Sequence, residues 1–311
     1  FKQKTAYEIS LGLVGSEMCI RDRLREASRL LRLNATQTMA LAQDLFELGF
    51  ITYHRTDSTR VSDAGIGVAK TYITEKFGAE YFKPRTWMKE GAHECIRPTR
   101  PMDQDKLREL IREGILRPVK ALTAWHYRLY DLIFRRFVAS QMPEAEVVKQ
   151  RYAVEIPELG LRKEMEHYVE AARKGFLEMW TMPMGSRLQP CKVKVKKEPR
   201  PIIRKVPTVT LFTDGELVQL MKERGIGRPS TYAKIIDVLK KRLYVQESRR
   251  GKLVPMPRGI RIYQHLKEHY EDFVSEERTR KLEALMDAVE RGEVDYQEVL
   301  RELYEEIKRL P

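Results

Sequence analysis

The sequence predicts a mostly α-helical chain of several domains, interrupted by a β-rich arm and closing on winged-helix-like elements. Three observations predict it. Apolar residues recur at helical spacing between capping signals in the first and last thirds. From Glu146 the period changes to strand-like alternation. Beyond Thr213 the order is helix, turn, helix, hairpin. A length of 311 residues suits two or three domains at about 100–200 each. With 42% hydrophobic residues the chain can build a core, which excludes disorder by composition. The boundaries read as 1–23, 24–142, 143–208 and 209–311.

Residues 1–23 stand apart in composition from the Arg- and Glu-rich chain that follows. Lys2 and Lys4 before an apolar stretch imitate a signal peptide. The segment instead resembles a translated sequencing adapter, so it is expected to be non-native, to pack poorly or to form an arbitrary local helix.

Leu24–Leu33 reads as the end of a helix, and Asn34 with Gln37 as the reciprocal cap of the next. Met39, Leu41, Leu45 and Leu48 carry that helix to its stop at Gly49. ITYHRTDSTRVS follows, a short β-branched and aromatic strand running into a polar loop. Ser62 caps a helix ending near Gly78, prolines at 98, 101 and 118 mark loops, and a long helix from Trp125 through Phe137 closes the first region. In the middle region Val148, Tyr152, Val154 and Ile156 are expected on one half-buried strand face. CKVKVKK from Cys191 offers a second alternation. Then Thr213–Glu216 is a capping box opening a helix to Arg224, and Ser230 caps a helix from Thr231 to about Arg242. LYVQ and KLVPM flank a basic turn, and 279–290 and 295–310 are closing amphipathic helices.

The net charge of +13 and pI near 9.5 point to a polyanion partner, although a basic balance alone has many causes. The three cysteines, Cys19, Cys95 and Cys191, have neither zinc-site nor disulfide-framework spacing, which fits a cytoplasmic protein. No apolar run approaches the roughly 18–20 residues that span a bilayer. Asn34 is the only asparagine, amid abundant Glu, Lys and Arg, a usage typical of hot-environment proteins.

The chemistry centres on Tyr53. It follows a helix-ending glycine, and Arg55 lies two residues on, so in a strand phenol and guanidinium share a face. A phenol with an ordinary pKa near 10 attacks a phosphodiester only if its proton is removed and the phosphate charge is offset. An arginine fork does the second. Among 14 tyrosines such a neighbour is unremarkable, so spacing alone does not identify the residue.

GFITYHRTDSTRVS, Gly49–Ser62, resembles the active-site segment of type IA DNA topoisomerases. EGAHECIRPTRP, Glu90–Pro101, is similar to the family's HE-x-IRPT segment, and RGIGRPSTYAKII, Arg224–Ile236, to its GIGRPSTYA segment. The resemblance covers Leu24–Pro311. It implies that Tyr53 is the nucleophile forming a 5′-phosphotyrosine bond with one DNA strand, that Arg55 holds the scissile phosphate, and that His93 hydrogen-bonds it. Asp57, Ser58, Arg97, Arg228, Ser230 and Thr231 are implied as DNA contacts or loop organisers. The last three lie at a helix start, where free amides favour phosphate. It further implies Mg²⁺ bound by an acidic toprim domain upstream, absent from this chain, so no metal ligand is expected here and the piece alone should be inactive. The implied partners are DNA with a single-stranded region and the remaining N-terminal part of the same protein, in a monomer with no membrane association.

The wording of these segments, and of SEERTRKLEALMDAVERGEVDYQEVLRELYEEI at 275–307, is similar to the reverse-gyrase branch of the family. That branch implies an ATP-using helicase-like half that drives positive supercoiling. GIGRPST lacks the Lys-Ser/Thr ending of a phosphate-binding loop, so no ATP site is expected in this chain. An ATP-independent topoisomerase I or III of a thermophile, and a non-enzymatic winged-helix DNA-binding module, remain open alternatives. A tyrosine recombinase places its Arg and His before a late tyrosine, the reverse of the order here.

Overall fold

The computed structural model describes residues 3–11, 20–56, 58–87, 93–157, 160–192 and 210–308, with side chains from Arg23 onward. In chain order the elements are β1 (Gln3–Leu11), α1 (Ile20–Glu26) running into a π-helical turn (Ala27–Leu31), α2 (Ala35–Glu47), α3 (Asp63–Lys76), α4 (Gln104–Arg112) and α5 (Ala124–Ser140). The arm strands β2 (Ala145–Ile156) and β3 (Leu161–Arg173) follow. The chain continues through α6 (Asp214–Glu223), α7 (Tyr232–Lys241), β4 (Val245–Glu247), β5 (Leu253–Pro255), α8 (Pro257–His269), α9 (Glu271–Val274), α10 (Glu276–Glu290) and α11 (Tyr296–Lys308). Contacts divide it into two compact units: residues 1–20 with 41–210, and residues 21–40 with 211–311.

In the first unit α5 is the core element. Tyr130, Phe134 and Phe137 are fully buried, and Phe134 meets the Tyr72 ring of α3 edge-on at 4.7 Å. Such a pair adds about 0.5–1.5 kcal/mol beyond its buried area. The Tyr130 hydroxyl donates to the Met102 carbonyl at 2.6 Å, so a buried polar tip is satisfied. The start of α5 is a capping box of Thr123 with His126, and His126 Nε2 also meets Asp44 of α2 at 3.0 Å. Ser62 caps α3 as the sequence predicts, accepting from the Gly65 amide. Asp103 caps α4, accepting from the Lys106 amide at 2.9 Å.

The arm is an antiparallel hairpin with Gln150 opposite His167 and Val154 opposite Lys163. Its burial departs from simple alternation: Ala145, Val147, Val148, Gln150 and Ala153 are buried, whereas Val154 and Ile156 are exposed. The exposed residues lie at the turn end of the hairpin, beyond Tyr152 where the pairing with β1 ends, and the β3 residues opposite them, Leu161 to Lys163, are exposed as well. Residues 193–200 of the second expected alternation lie outside the described residues.

The segment expected to be loose or helical contains β1, an antiparallel strand on the outer edge of β2. An unpaired strand edge presents a row of amides and carbonyls that an extended neighbour satisfies.

In the second unit the buried Asp214 carboxylate accepts from the Ala35 amide at 2.8 Å and from Lys240 Nζ at 2.9 Å, tying the start of α2 to α6 and α7. A Cβ on Gly215 would lie 2.7 Å from the Arg25 Cα, so α1 and α6 meet there backbone to backbone. The Asn34–Gln37 and Thr213–Glu216 reciprocal caps form as predicted. The cap of α7 is Thr231 rather than Ser230, one residue later than expected, because the Thr231 and Tyr232 amides both close on the Arg228 carbonyl. Thr213 also bridges Lys252, extending the β4–β5 hairpin sideways. α8, unassigned in the sequence, starts with Pro257 in its first turn.

Candidate active site

The site grows from a short pairing between two loops. Thr52 N donates to the Arg97 carbonyl at 2.9 Å, and Thr99 N to the Phe50 carbonyl at 3.1 Å. The Thr52 hydroxyl completes the join, accepting from Arg97 N at 3.0 Å and donating to the Cys95 carbonyl at 2.8 Å. Residues 40 or more apart in sequence are thereby held in register. The expected strand at Tyr53 is reduced to a single bridge, Ile51 with Pro98, after which the chain bends.

The consequence is that Tyr53 and His93 face each other across the join, ring centroids 5.4 Å apart. Tyr53 is 38% exposed. Its ring leans edge-on against Phe46 of α2 at 5.6 Å and against His54 at 5.7 Å. These contacts hold the ring while leaving its rim accessible. Arg55 is exposed beside it, and its guanidinium donates to His54 Nε2 at 3.3 Å and to Gln43 Oε1 at 3.2 Å. Gln43 in turn donates to Glu47 at 2.6 Å. Tyr53 and Arg55 point outward and His54 inward, as alternation implies even without a regular strand.

His54, Gln43 and Phe46 were not singled out by the sequence. The signal for His54 is its place between two outward residues; for the other two it is helical spacing on α2, ahead of the tyrosine.

Beneath the loop, Arg97 is buried and clamped. It donates to both oxygens of Glu94 at 2.9 and 2.8 Å and to the Pro98 carbonyl at 2.9 Å. Glu94 also accepts from Ser62 Oγ at 2.5 Å. Burial by itself raises the Glu94 carboxyl, but the hydrogen bonds and charge of Arg97, with Ser62, hold it below the ordinary range. Arg97 is thus held within its own loop by these partners. A Cβ on Gly65 would lie 2.7 Å from Arg97 Nε, so the start of α3 passes close over the guanidinium. Cys95 is fully buried, and burial pushes its thiol up to about 12.

Ser58 organises the RTDST loop: its amide donates to Thr56 Oγ1 at 3.0 Å and its hydroxyl accepts from the Arg60 amide at 3.2 Å. Asp57 lies outside the described residues. In the second unit Arg228 is taken up by α10, pairing with Glu283 and with Asp287 at 2.6 Å, so its fork is not free for phosphate. The Thr231 hydroxyl closes a local ring with the Arg228 amide and carbonyl, and Ser230 is exposed.

Among the described residues no group of three or more His, Cys, Asp or Glu side chains could hold a metal ion. No helix among them is long and apolar enough to cross a membrane.

Comparison with known proteins gives this geometry its context. Residues 21–301 match the family model described as DNA topoisomerase. A reverse gyrase of Pyrococcus furiosus is 52% identical over 287 residues, covering 92% of this chain and 24% of that protein. Reverse gyrase 1 of Aquifex aeolicus is 49% identical over 286 residues, covering 91% of this chain and 24% of that protein. The chain thus spans about a quarter of the length of these relatives. The solved full-length topoisomerase I of Thermotoga maritima superposes with a TM-score of 0.76 at 30% identity, covering 99% of this chain and 52% of that one. On sequence and on fold alike, this chain belongs to the type IA DNA topoisomerase family.

Proposed function

We propose that this chain carries the nucleophile of a reverse gyrase, with Tyr53 attacking one strand of DNA. The observation that carries the reading is the exposed Tyr53 ring against His93, with the guanidinium of Arg55 two residues on tethered to His54 and Gln43. In the step, Tyr53 Oη bonds to the scissile phosphorus as the bond from phosphorus to O3′ breaks. The phenolic proton is lost and the departing O3′ gains one, leaving a 5′-phosphotyrosine and a free 3′-hydroxyl. Religation is the reverse. Arg55 offers its free guanidinium edge to the non-bridging oxygens, and His93 donates a hydrogen bond to the same phosphate, so both act on charge already present and growing. His54 and Gln43 keep the guanidinium aimed.

In this reading the second unit is a winged-helix-like DNA-binding domain, supported by the order α6, α7, β4, β5. Ser230, exposed at the α7 start, contacts DNA, Arg228 and Thr231 organise the turn before it, and Asp57 organises the RTDST loop. Residues 1–23 are a non-native segment. The whole protein is a cytoplasmic monomer in which an upstream toprim domain binds Mg²⁺ and a helicase-like half couples ATP to positive supercoiling. The present chain alone binds DNA without relaxing it.

The test is complementation. The chain is mixed with the upstream part of the Pyrococcus furiosus relative, Mg²⁺ and 3′-end-labelled single-stranded DNA at high temperature, and the reaction is stopped with detergent. A labelled covalent adduct that disappears in Tyr53→Phe is expected. No adduct, despite measured association of the two parts, would remove Tyr53 from the role.

A further inference from the structure

The second unit contains a cleft that none of the motifs accounts for. It has a volume of about 570 Å³, within the ~300–1,000 Å³ usual for ligand sites. One wall is the junction between the π-helical turn and α2, bringing Arg29 and Arg32. The other is the β4–β5 turn, bringing Arg249 and Arg250. The turn is tight: the Gly251 amide donates to the Ser248 carbonyl at 2.9 Å and Gly251 has φ of 72°. That geometry leaves Arg249 and Arg250 at the two corner positions, both exposed. Arg32 sits in the left-handed region with φ of 57°, turning the chain between helices.

The charge in the cleft is unequally answered. Arg29 is paired with Glu26 at 2.8 Å. The two carboxylates of the lining, Asp214 and Glu247, are both held by Lys240, at 2.9 and 2.7 Å. Among the described residues the side chains of Arg32, Arg249 and Arg250 have no hydrogen-bond or ion-pair partner. Three unpaired forks therefore converge on one opening whose acidic groups are already engaged. No aromatic side chain lines it, so there is no platform on which a base could stack.

We propose that this cleft grips the phosphodiester backbone of DNA, with Arg32, Arg249 and Arg250 as its contacts. The assignment rests on the DNA-binding reading above and deepens it by adding a second anchoring point, on the unit that does not hold Tyr53. Guanidinium contacts to phosphate position the strand without reading its sequence.

The experiment is a salt titration of single-stranded DNA binding by the full chain. Wild type is compared with a triple variant, Arg32→Asn, Arg249→Gln and Arg250→Gln; asparagine at 32 tolerates the positive φ. A control variant removes three exposed charges elsewhere: Arg112→Gln, Lys163→Gln and Lys281→Gln. Each phosphate contact on a single strand contributes about 0.7 to the slope of log affinity against log salt, so losing three should flatten it by about 2 units. A fourfold rise in salt should then weaken wild type about 16-fold more than the triple variant. The control should track wild type, and all three should melt alike.

A triple variant with the wild-type slope would overturn the assignment. So would a chain stabilised through these arginines by inorganic phosphate alone while DNA binding is untouched, which would make the cleft a site for a free anion. Wild type that binds no DNA would sink the parent reading along with this one, whereas a defect confined to the triple variant supports both.

Discussion

Replacing Arg97 with methionine keeps its aliphatic stem and removes its charge. Arg97 is 6% exposed and makes a two-pronged pair with Glu94 plus a bond to the Pro98 carbonyl. Removing one partner of a buried ion pair costs about 3–5 kcal/mol because the other charge is stranded. The Glu94 side chain is 21% exposed and can partly rehydrate, which places this case at the lower end, about 3 kcal/mol. For a unit of roughly 150–250 residues, 1 kcal/mol moves Tm by about 2–4 °C, so the first unit should melt about 6–12 °C lower. Calorimetry on the full chain reads this directly. Adding Glu94→Gln to Arg97→Met should recover part of the loss, since the stranded charge is gone. A shift under about 2 °C for the single variant would refute the argument, showing that Glu94 is solvated without its partner and that the clamp is incidental.

Other expectations follow from the same region and its surroundings. Gly65→Ala should destabilise the first unit by about 1–3 kcal/mol, because the added methyl meets the immobilised Arg97; a neutral result in chemical denaturation would mean the guanidinium moves freely. Glu94 and Asp103 are both held below their ordinary values of 4.5 and 3.8: burial opposes this in each, and hydrogen bonds from Arg97 and Ser62, or from Lys106, Lys76 and Tyr72, outweigh it. Their stabilisation is therefore complete above about pH 4.5 and fades as pH falls through the depressed values, a loss that Glu94→Gln should reduce in acid-melting curves. A thiol reagent followed by peptide mass spectrometry should label exposed Cys191 at once and Cys95 only on unfolding, because Cys95 is buried with its thiol raised to about 12. Equal rates at the two would show that the HECIRPT loop opens readily. Gln43→Ala should lower adduct yield in the complementation assay while leaving the melting temperature within about 1 °C, since the Gln43 side chain reaches only the exposed Arg55 and Glu47. A large drop in Tm would mean Gln43 supports the fold rather than the aim of Arg55.

What the sequence made legible is mostly local. Caps at Asn34, Ser62 and Thr213 were readable because each joins a side chain to an amide three residues on. The meeting of Tyr53 with His93 was not readable from periodicity, because it depends on the Thr52–Arg97 pairing between distant loops; family resemblance supplied both residues without their geometry. Arg228 shows the opposite case, a contact that local reading does not reach. Its place before a helix start suggested phosphate, but two acids on α10, more than 50 residues later, claim the guanidinium. Val154 and Ile156 were expected on the half-buried face and emerge exposed, since alternation carries no information about where along the hairpin its cover ends. The helix at Pro257–His269 was missed although a proline in the first turn was its visible start signal.

The join between residues 50–52 and 95–99 also has a kinematic meaning. Because Tyr53 and His93 hang from the same pair of paired loops, any rigid displacement of their unit carries both together. A strand end bonded to Tyr53 would travel with its histidine neighbour and with the tethered Arg55, as cargo fixed to one moving part. In the role proposed for Tyr53, religation needs only that part to return to its starting position, with no search by the severed end, and the accuracy of resealing becomes a question of hinge precision rather than of diffusion.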